Sequence, residues 1–165
     1  MVTRTVFEKD QAGGGAMIDL GAHPIYLTNR LAGKATAVYA RLQEVANDKV
    51  DDNSALLLDY ESGALGVIET SFVFHGSPVQ LELYGTEGIL LIQDDKIHIH
   101  SHHVNDGEPT ILEEDLPKLR MPMEQWVDAI QNGSKPTITK EDVIQLTLIN
   151  EAAFKSNEEG RRIEF

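Results

Sequence analysis

Between residues 35 and 101, short β-prone runs alternate with turn-forming residues, and this pattern constrains the fold more than any other feature. The turn signals include the stretches at residues 61–63 and 94–95. Their connections are too short for the crossovers that parallel strands require, so the strands should pair mostly antiparallel. The predicted strands lie near residues 35–44, 54–60, 64–74, 78–84, 88–93 and 96–101.

Helical patterns flank this strand region. An apolar stretch at residues 16–32 follows three glycines and ends before Gly33, which is typical of a helix C-terminus. Two later helices are predicted to start at Pro122 and at the N-cap Thr139, and short strands are predicted at residues 2–7 and at the end of the chain. The sequence therefore predicts an α+β fold, with a single open, mostly antiparallel β-sheet and helices packed on one face.

Composition excludes several classes of protein. The 165 residues suit one domain over residues 1–165, and the net charge of −13 argues against binding to nucleic acid or an anionic membrane surface. No apolar run is long enough to span a membrane. The absence of cysteine excludes disulfides, a Cys-ligated metal and a thiol nucleophile, and it fits the cytoplasmic location that we expect.

The strongest functional signal is a polar stripe on the helix predicted at residues 16–32. At about 100° per residue, Asp19, His23, Tyr26 and Arg30 fall within a sector of about 60° on an otherwise apolar helix. Such a stripe must be hydrogen-bonded or face a water-filled cleft. The i, i+4 spacing brings a carboxylate beside an imidazole, and imidazole suits acid/base catalysis near neutral pH.

The stretch GGGAMIDLGAH, residues 13–23, resembles the motif that opens the C-terminal domain of the Gfo/Idh/MocA family of NAD(P)-dependent oxidoreductases. Later stretches, DDNSALLLDYESGALGVIETSF, LELYGTEGILLI and the segment from MEQW to RIEF, resemble further elements of that domain in the same order. The family's Rossmann domain has no counterpart here, since no strand-linked G-x-G-x-x-G is present. We therefore expect a substrate-binding, catalytic and oligomerisation domain whose N-terminal dinucleotide-binding domain is missing, inactive without that domain.

The resemblance implies that Asp19 and His23 are the catalytic residues. His23 is expected to act as the general acid/base for the hydroxyl of a sugar or inositol-type substrate, and Asp19 to orient it or to hold substrate. NAD or NADP, bound by the missing domain and not tightly by this chain alone, would accept the hydride. The expected substrate contacts are Tyr26, Arg4 and Gly15, and the nicotinamide could lie near Gly14.

Each of these residues also has a structural interpretation. Asp19 could anchor the glycine turn, Tyr26 could be a packing residue, and Arg30 could pair with an acid near the end of its helix. Family members often carry Asp at the position of Tyr26, which leaves the choice of substrate open.

Two rival functions stay open at this point. One is a non-enzymatic sugar-binding or dimerisation module of the same fold. The other is metal binding by His98, His100 and His102, which share one face of a predicted strand, although their expected position at a solvated edge weighs against it. We predict no metal site. A homo-oligomer is expected through the sheet face away from the helices, to which the sequence assigns Leu56, Ile68, Phe72 and Phe74.

Overall fold

The computed structural model describes residues 12–46, 49–76, 79–113 and 116–165. The helices in these ranges are α1 (Ala16–Asp19), α2 (Ala22–Ala32), α3 (Pro122–Asn132) and α4 (Lys140–Glu159). The strands are β1 (Ala35–Gln43), β2 (Asn53–Tyr60), β3 (Leu65–Ser71), β4 (Leu81–Gly85), β5 (Gly88–Gln93), β6 (Lys96–Ser101), β7 (Thr110–Leu112) and β8 (Ile163–Glu164). The predicted strand at residues 2–7 lies outside the described residues.

The chain divides into two units, one covering residues 1–74 and 135–165 and the other residues 75–134. In the described part of the first unit, an antiparallel sheet has the order β3-β2-β1-β8. Helix α4 packs against β1, and the core lies between this helix and the sheet. Its buried side chains include Val38, Leu56, Leu58, Ile68 and Ile149.

The second unit contains an antiparallel sheet of order β4-β5-β6-β7. The turn between β5 and β6 consists of Asp94 and Asp95, which both have positive φ angles of 51° and 61°, as a type I′ hairpin turn requires. Within these four strands no residue is fully buried, so this sheet has only half-buried apolar positions such as Leu83 and Ile92.

The α+β class and the antiparallel pairing are confirmed. In the described ranges the strands form two four-stranded sheets rather than one, with β3 in the first sheet and β4 in the second. Hydrophobic alternation predicts where strands lie, but it does not encode which edges meet. Strand β7 is not among the predicted strands, because its three residues are too few to give an alternation signal.

The assignment of Leu56 and Ile68 to the face away from the helices was wrong. These two side chains point into the core and are only 2% and 3% exposed. Their neighbours Leu57 and Val67 lie on the opposite face, 44% and 72% exposed. Leucines stand on both faces at the centre of β2, and the apolar residues Val67 and Ile68 of β3 also fall on opposite faces, so these positions alone did not decide which face the helices cover.

The helix predicted at residues 16–32 is interrupted at Leu20 and Gly21. Pro24 has no N–H to donate to the carbonyl of Leu20, which instead accepts from the N–H of His23 at 3.3 Å. The chain packs so tightly here that a Cβ at Gly21 would lie 2.2 Å from a carbonyl oxygen of the preceding turn. As a result, Asp19 ends one helix and His23 begins the next, so their relation is set by the break and not by one regular helix.

The two later helices begin and end close to the predicted residues. The hydroxyl of Thr139 accepts from the N–H of Asp142 at 3.3 Å, which confirms the predicted N-cap of α4. Gly133 and Gly160 follow α3 and α4 with left-handed φ angles of 67° and 65°. Among the described helices, none is long and apolar enough to cross a membrane.

Candidate functional site

The glycine turn before α1 is held by a buried carboxylate on a different segment of the chain. Asp51 accepts hydrogen bonds from the N–H of Gly15 at 3.0 Å and from the N–H of Met17 at 2.8 Å. Its backbone carbonyl accepts a third bond, from Ala16 N–H at 2.7 Å. A helix that begins at glycine has no side chain of its own to satisfy these N–H groups, and Asp51 does so from 36 positions along the chain.

Gly15 has no room for a side chain. A Cβ at this position would lie 1.7 Å from the carbonyl oxygen of Asp51, and Gly14 would meet Ile18 at 2.8 Å. The glycines therefore let the turn approach another segment of the protein's own backbone, and not a ligand. The N–H group of Gly15, expected to be available to substrate, is occupied by the Asp51 carboxylate.

Asp19 and His23 lie on the surface, on either side of the helix break. Asp19 is the last residue of α1, and its N–H closes the turn onto the carbonyl of Gly15 at 3.1 Å. His23 stands in the first turn of α2. Both side chains are exposed, and neither makes a hydrogen bond or ion pair with any described residue. The residue that anchors the glycine turn is Asp51, so Asp19 remains available to bind a ligand.

Further along the stripe, the polar side chains are tied to the protein. The Tyr26 hydroxyl donates to the backbone carbonyl of Thr137 at 3.4 Å, and Arg30 donates to the same carbonyl at 3.2 Å and to the Tyr26 oxygen at 3.4 Å. The Tyr26 hydroxyl is thus hydrogen-bonded within the protein, which agrees with the interpretation of Tyr26 as a packing residue. Hydrogen bonds from Thr139 lower the pKa of Asp142, and the positive charge of Arg30 adds a smaller effect in the same direction.

The stripe therefore has two functional halves. At one end, the exposed side chains of Asp19 and His23 have no hydrogen-bond or ion-pair partner among the described residues. At the other end, Tyr26 and Arg30 are anchored to the segment that precedes α4. Arg4, the remaining predicted substrate contact, lies outside the described residues. A carboxylate such as that of Asp19 can accept a hydrogen bond from a ligand, and a neutral imidazole such as that of His23 can also accept a proton.

Sequence analysis missed the two aspartates that organise this region. Asp51 and Asp52 are 7% and 0% exposed, and Asp52 accepts from the N–H groups of Val45 and Ala46 at 2.8 and 2.6 Å. One signal could have revealed them. An apolar helix with glycine at its N-cap needs acceptors from elsewhere, and adjacent acids immediately before a strand are candidates.

The histidine-rich strand of the second unit forms a different arrangement from the one that metal binding requires. His98 and His100 lie on β6, but His102 has already left the strand in a turn. His103 pairs instead with Glu87, at 3.3 Å. Within the described ranges, no group of three histidine or acidic side chains is placed to hold a metal ion.

The glycine-turn helix α1, helix α2 and strands β1, β2 and β3 all lie within the part of the chain that a protein-family model matches. The family model described as the GFO/IDH/MocA C-terminal domain matches residues 3–91. The chain belongs to this family.

Named relatives are sugar and inositol dehydrogenases. The D-apiose dehydrogenase of Paraburkholderia graminis is 26% identical over 167 residues, an alignment covering 88% of this chain and 44% of that protein. The myo-inositol 2-dehydrogenase of Thermotoga maritima is 22% identical, with 93% of this chain and 50% of that protein covered.

A similar fold is found in a levoglucosan dehydrogenase solved in complex with NADH and levoglucosan. The TM-score is 0.85 at 21% sequence identity, with 97% of this chain and 53% of that chain covered. This chain thus spans about half the length of the proteins it matches.

Proposed function

We propose that this chain is the catalytic and substrate-binding C-terminal domain of an NAD(P)-dependent dehydrogenase that oxidises a hydroxyl group of a sugar or inositol. The observation that carries the proposal is the pair Asp19 and His23, whose exposed side chains have no partner among the described residues and which lie just after a helix start held by buried hydrogen bonds. The dehydrogenases among its relatives support the same reaction class. We place the reaction in the cytoplasm, in keeping with a chain that has no cysteine.

In this proposal His23 takes the proton of the substrate hydroxyl as the adjacent carbon is oxidised. Its exposed position in the first turn of α2 lets the imidazole reach a ligand without breaking an existing hydrogen bond. Asp19 accepts a hydrogen bond from a neighbouring hydroxyl or from the imidazole, and so orients the reacting group. NAD(P), when bound by a separate dinucleotide-binding domain, supplies the hydride acceptor.

The chain's own contacts indicate where the cofactor would not bind. The N–H groups at the start of α1 donate to Asp51, so they are not free to bind a phosphate group as helix starts often do. We therefore assign dinucleotide binding to a separate domain and leave this chain only a nicotinamide contact near Gly14. Tyr26 contributes to the substrate site through its ring, since its hydroxyl is engaged. Gly15 contributes indirectly, because the contact of its backbone with Asp51 holds the start of α1 in place. Arg4 keeps its proposed role as a contact to a polar substrate group.

The test is a dehydrogenase assay of the complete gene product with sugars and inositols and with both NAD+ and NADP+. His23→Ala should lower kcat by about 10²- to 10⁴-fold, the usual range for loss of a general acid/base. His103→Ala is the matched control, because this histidine is exposed and lies in the other unit. Unchanged turnover in His23→Ala would refute the acid/base role. Sugar binding without any oxidation would favour the non-enzymatic module.

We further propose that the exposed face of the β3-β2-β1 sheet associates with a second copy of the chain. Its centre is an apolar row in which Tyr39 pairs with Leu57, and Leu57 with Val67. The next row places Arg41 on β1 and Glu69 on β3, both exposed, with one strand between them. A twofold axis along the central strand would bring Arg41 of one copy opposite Glu69 of the other, which makes the face self-complementary.

Charge reversal tests this interface. Arg41→Glu and Glu69→Arg should each weaken association in sedimentation velocity, and the double variant should restore it. A monomeric wild-type protein, or a double variant no tighter than the single ones, would contradict this mode of association.

A further inference from the structure

We propose that Asp51 is a positioning residue for the catalytic pair, an inference that rests on the proposed dehydrogenase function. Asp51 makes three hydrogen bonds to the consecutive residues Gly15, Ala16 and Met17, two through its carboxylate and one through its carbonyl. It does not belong to the polar stripe itself, and we assign it no contact with substrate.

Helix α1 depends on this support more than an ordinary helix would. It has only four residues, far below the length at which a helix is stable by itself in water. Its N-cap is glycine, with no side-chain hydrogen bond of its own. Met17 is completely buried, so its N–H has no water to bind if the Asp51 carboxylate is lost, whereas the N–H of Ala16 keeps the backbone carbonyl of residue 51.

The connection from Asp51 to the catalytic carboxylate is short. Asp19 is the last residue of α1, and its N–H bonds to the carbonyl of Gly15, whose own N–H is bonded to Asp51. The helix break at Gly21 then leads directly to His23. The Asp51 carboxylate, in the segment before β2, therefore fixes the position of Asp19 and His23 through its hydrogen bond to Gly15.

The neighbouring residue offers a matched control. Asp52 is also a buried carboxylate that accepts two backbone N–H groups, but those belong to Val45 and Ala46, after β1. Asp51→Asn and Asp52→Asn each replace one carboxylate oxygen with the NH2 of a side-chain amide, which donates hydrogen bonds but cannot accept one. Both variants should be less stable than wild type, and only the first should disturb the start of α1.

The experiment uses the complete gene product. In Asp51→Asn we expect kcat to fall by about 10- to 100-fold, the scale of a small misplacement of catalytic groups, with the KM for NAD(P) unchanged. In Asp52→Asn, kcat should stay within about twofold of wild type, and the effect of Asp51→Asn should become smaller when Asp19 is already alanine, because one of the two positioned side chains is then gone. An equal fall in kcat in both variants, or a full effect without Asp19, would overturn the positioning role.

A second readout separates this inference from the proposed function. Amide hydrogen exchange over residues 13–19, followed by mass spectrometry, should accelerate in Asp51→Asn and stay near wild type in Asp52→Asn. If the two variants show this difference in exchange but the wild-type protein oxidises no sugar or inositol, the dehydrogenase proposal fails. The support of α1 by the hydrogen bonds of Asp51 then still stands. Exchange that is equally fast in both variants would overturn the role of Asp51 whatever the activity.

Discussion

Replacing Gly15 with alanine should be the most damaging single change in the glycine turn. The added Cβ would lie 1.7 Å from the carbonyl oxygen of Asp51, a backbone atom that cannot rotate away. Relief requires the turn and Asp51 to separate, which breaks the hydrogen bonds at 2.7, 2.8 and 3.0 Å. Two of these bonds involve a carboxylate at about 1.5–3 kcal/mol each, so the expected loss is about 3–6 kcal/mol.

The two preceding glycines provide controls with smaller expected losses. Gly13 has a φ of +74° but open space around its side-chain position, so Gly13→Ala should cost about 1–2 kcal/mol from backbone strain alone. Gly14→Ala would meet the end of the flexible Ile18 side chain, at 2.8 Å, and should cost an intermediate amount. The order of damage should therefore rise from Gly13 to Gly15.

Urea unfolding followed by far-UV circular dichroism measures these losses. A loss of 3–6 kcal/mol is a large part of the 5–15 kcal/mol typical of a folded domain, so Gly15→Ala should unfold at a much lower urea concentration or fail to fold. Equal losses at all three positions would refute the reasoning, because they would mean that glycine flexibility, and not the contact with Asp51, determines the turn.

Two further predictions concern the helix that covers the first sheet. Ser156→Ala should lower the free energy of unfolding in urea by about 2–3 kcal/mol, because it leaves the buried N–H of Ala40 without its partner at 2.9 Å. Asn157→Ala, at a half-buried site, is the control. A loss in Ser156→Ala no larger than the loss in this control would contradict the prediction. Hydrogen bonds from Thr139 lower the pKa of Asp142 in the folded protein. The ionised carboxylate therefore stabilises the fold fully above its unfolded pKa of about 4. That stabilisation is lost as the pH falls through the lower pKa of the folded state. Asp142→Asn should therefore shrink the difference in urea midpoint between pH 7 and pH 3, and an unchanged difference would refute the assignment.

Local sequence features were sufficient for the elements whose determinants lie within a few residues. Thr139 caps α4 because its hydroxyl needs only the N–H three residues later, and Gly133 and Gly160 end their helices through their own φ angles. The short turns likewise predicted antiparallel strands, since they leave no length for a crossover. The candidate pair, Asp19 and His23, was also identified from the sequence.

The break that separates this pair had a local signal too, since Pro24 removes the N–H that would have continued the helix. The predicted i, i+4 geometry held for Tyr26 and Arg30, which lie in one helix and are in hydrogen-bond contact. It does not describe Asp19 and His23, which lie on opposite sides of the break.

The sequence by itself therefore determined the fold class, the order of most elements and the identity of the exposed acid-imidazole pair. Tertiary structure decided which face of β2 is covered, since Leu56 and Leu57 are equally apolar and only packing against the helices distinguishes them. It also decided that the glycine turn is hydrogen-bonded to Asp51, which lies 36 residues away in the sequence. Contacts over such separations leave no periodicity in the sequence, because they are created only when distant segments pack together.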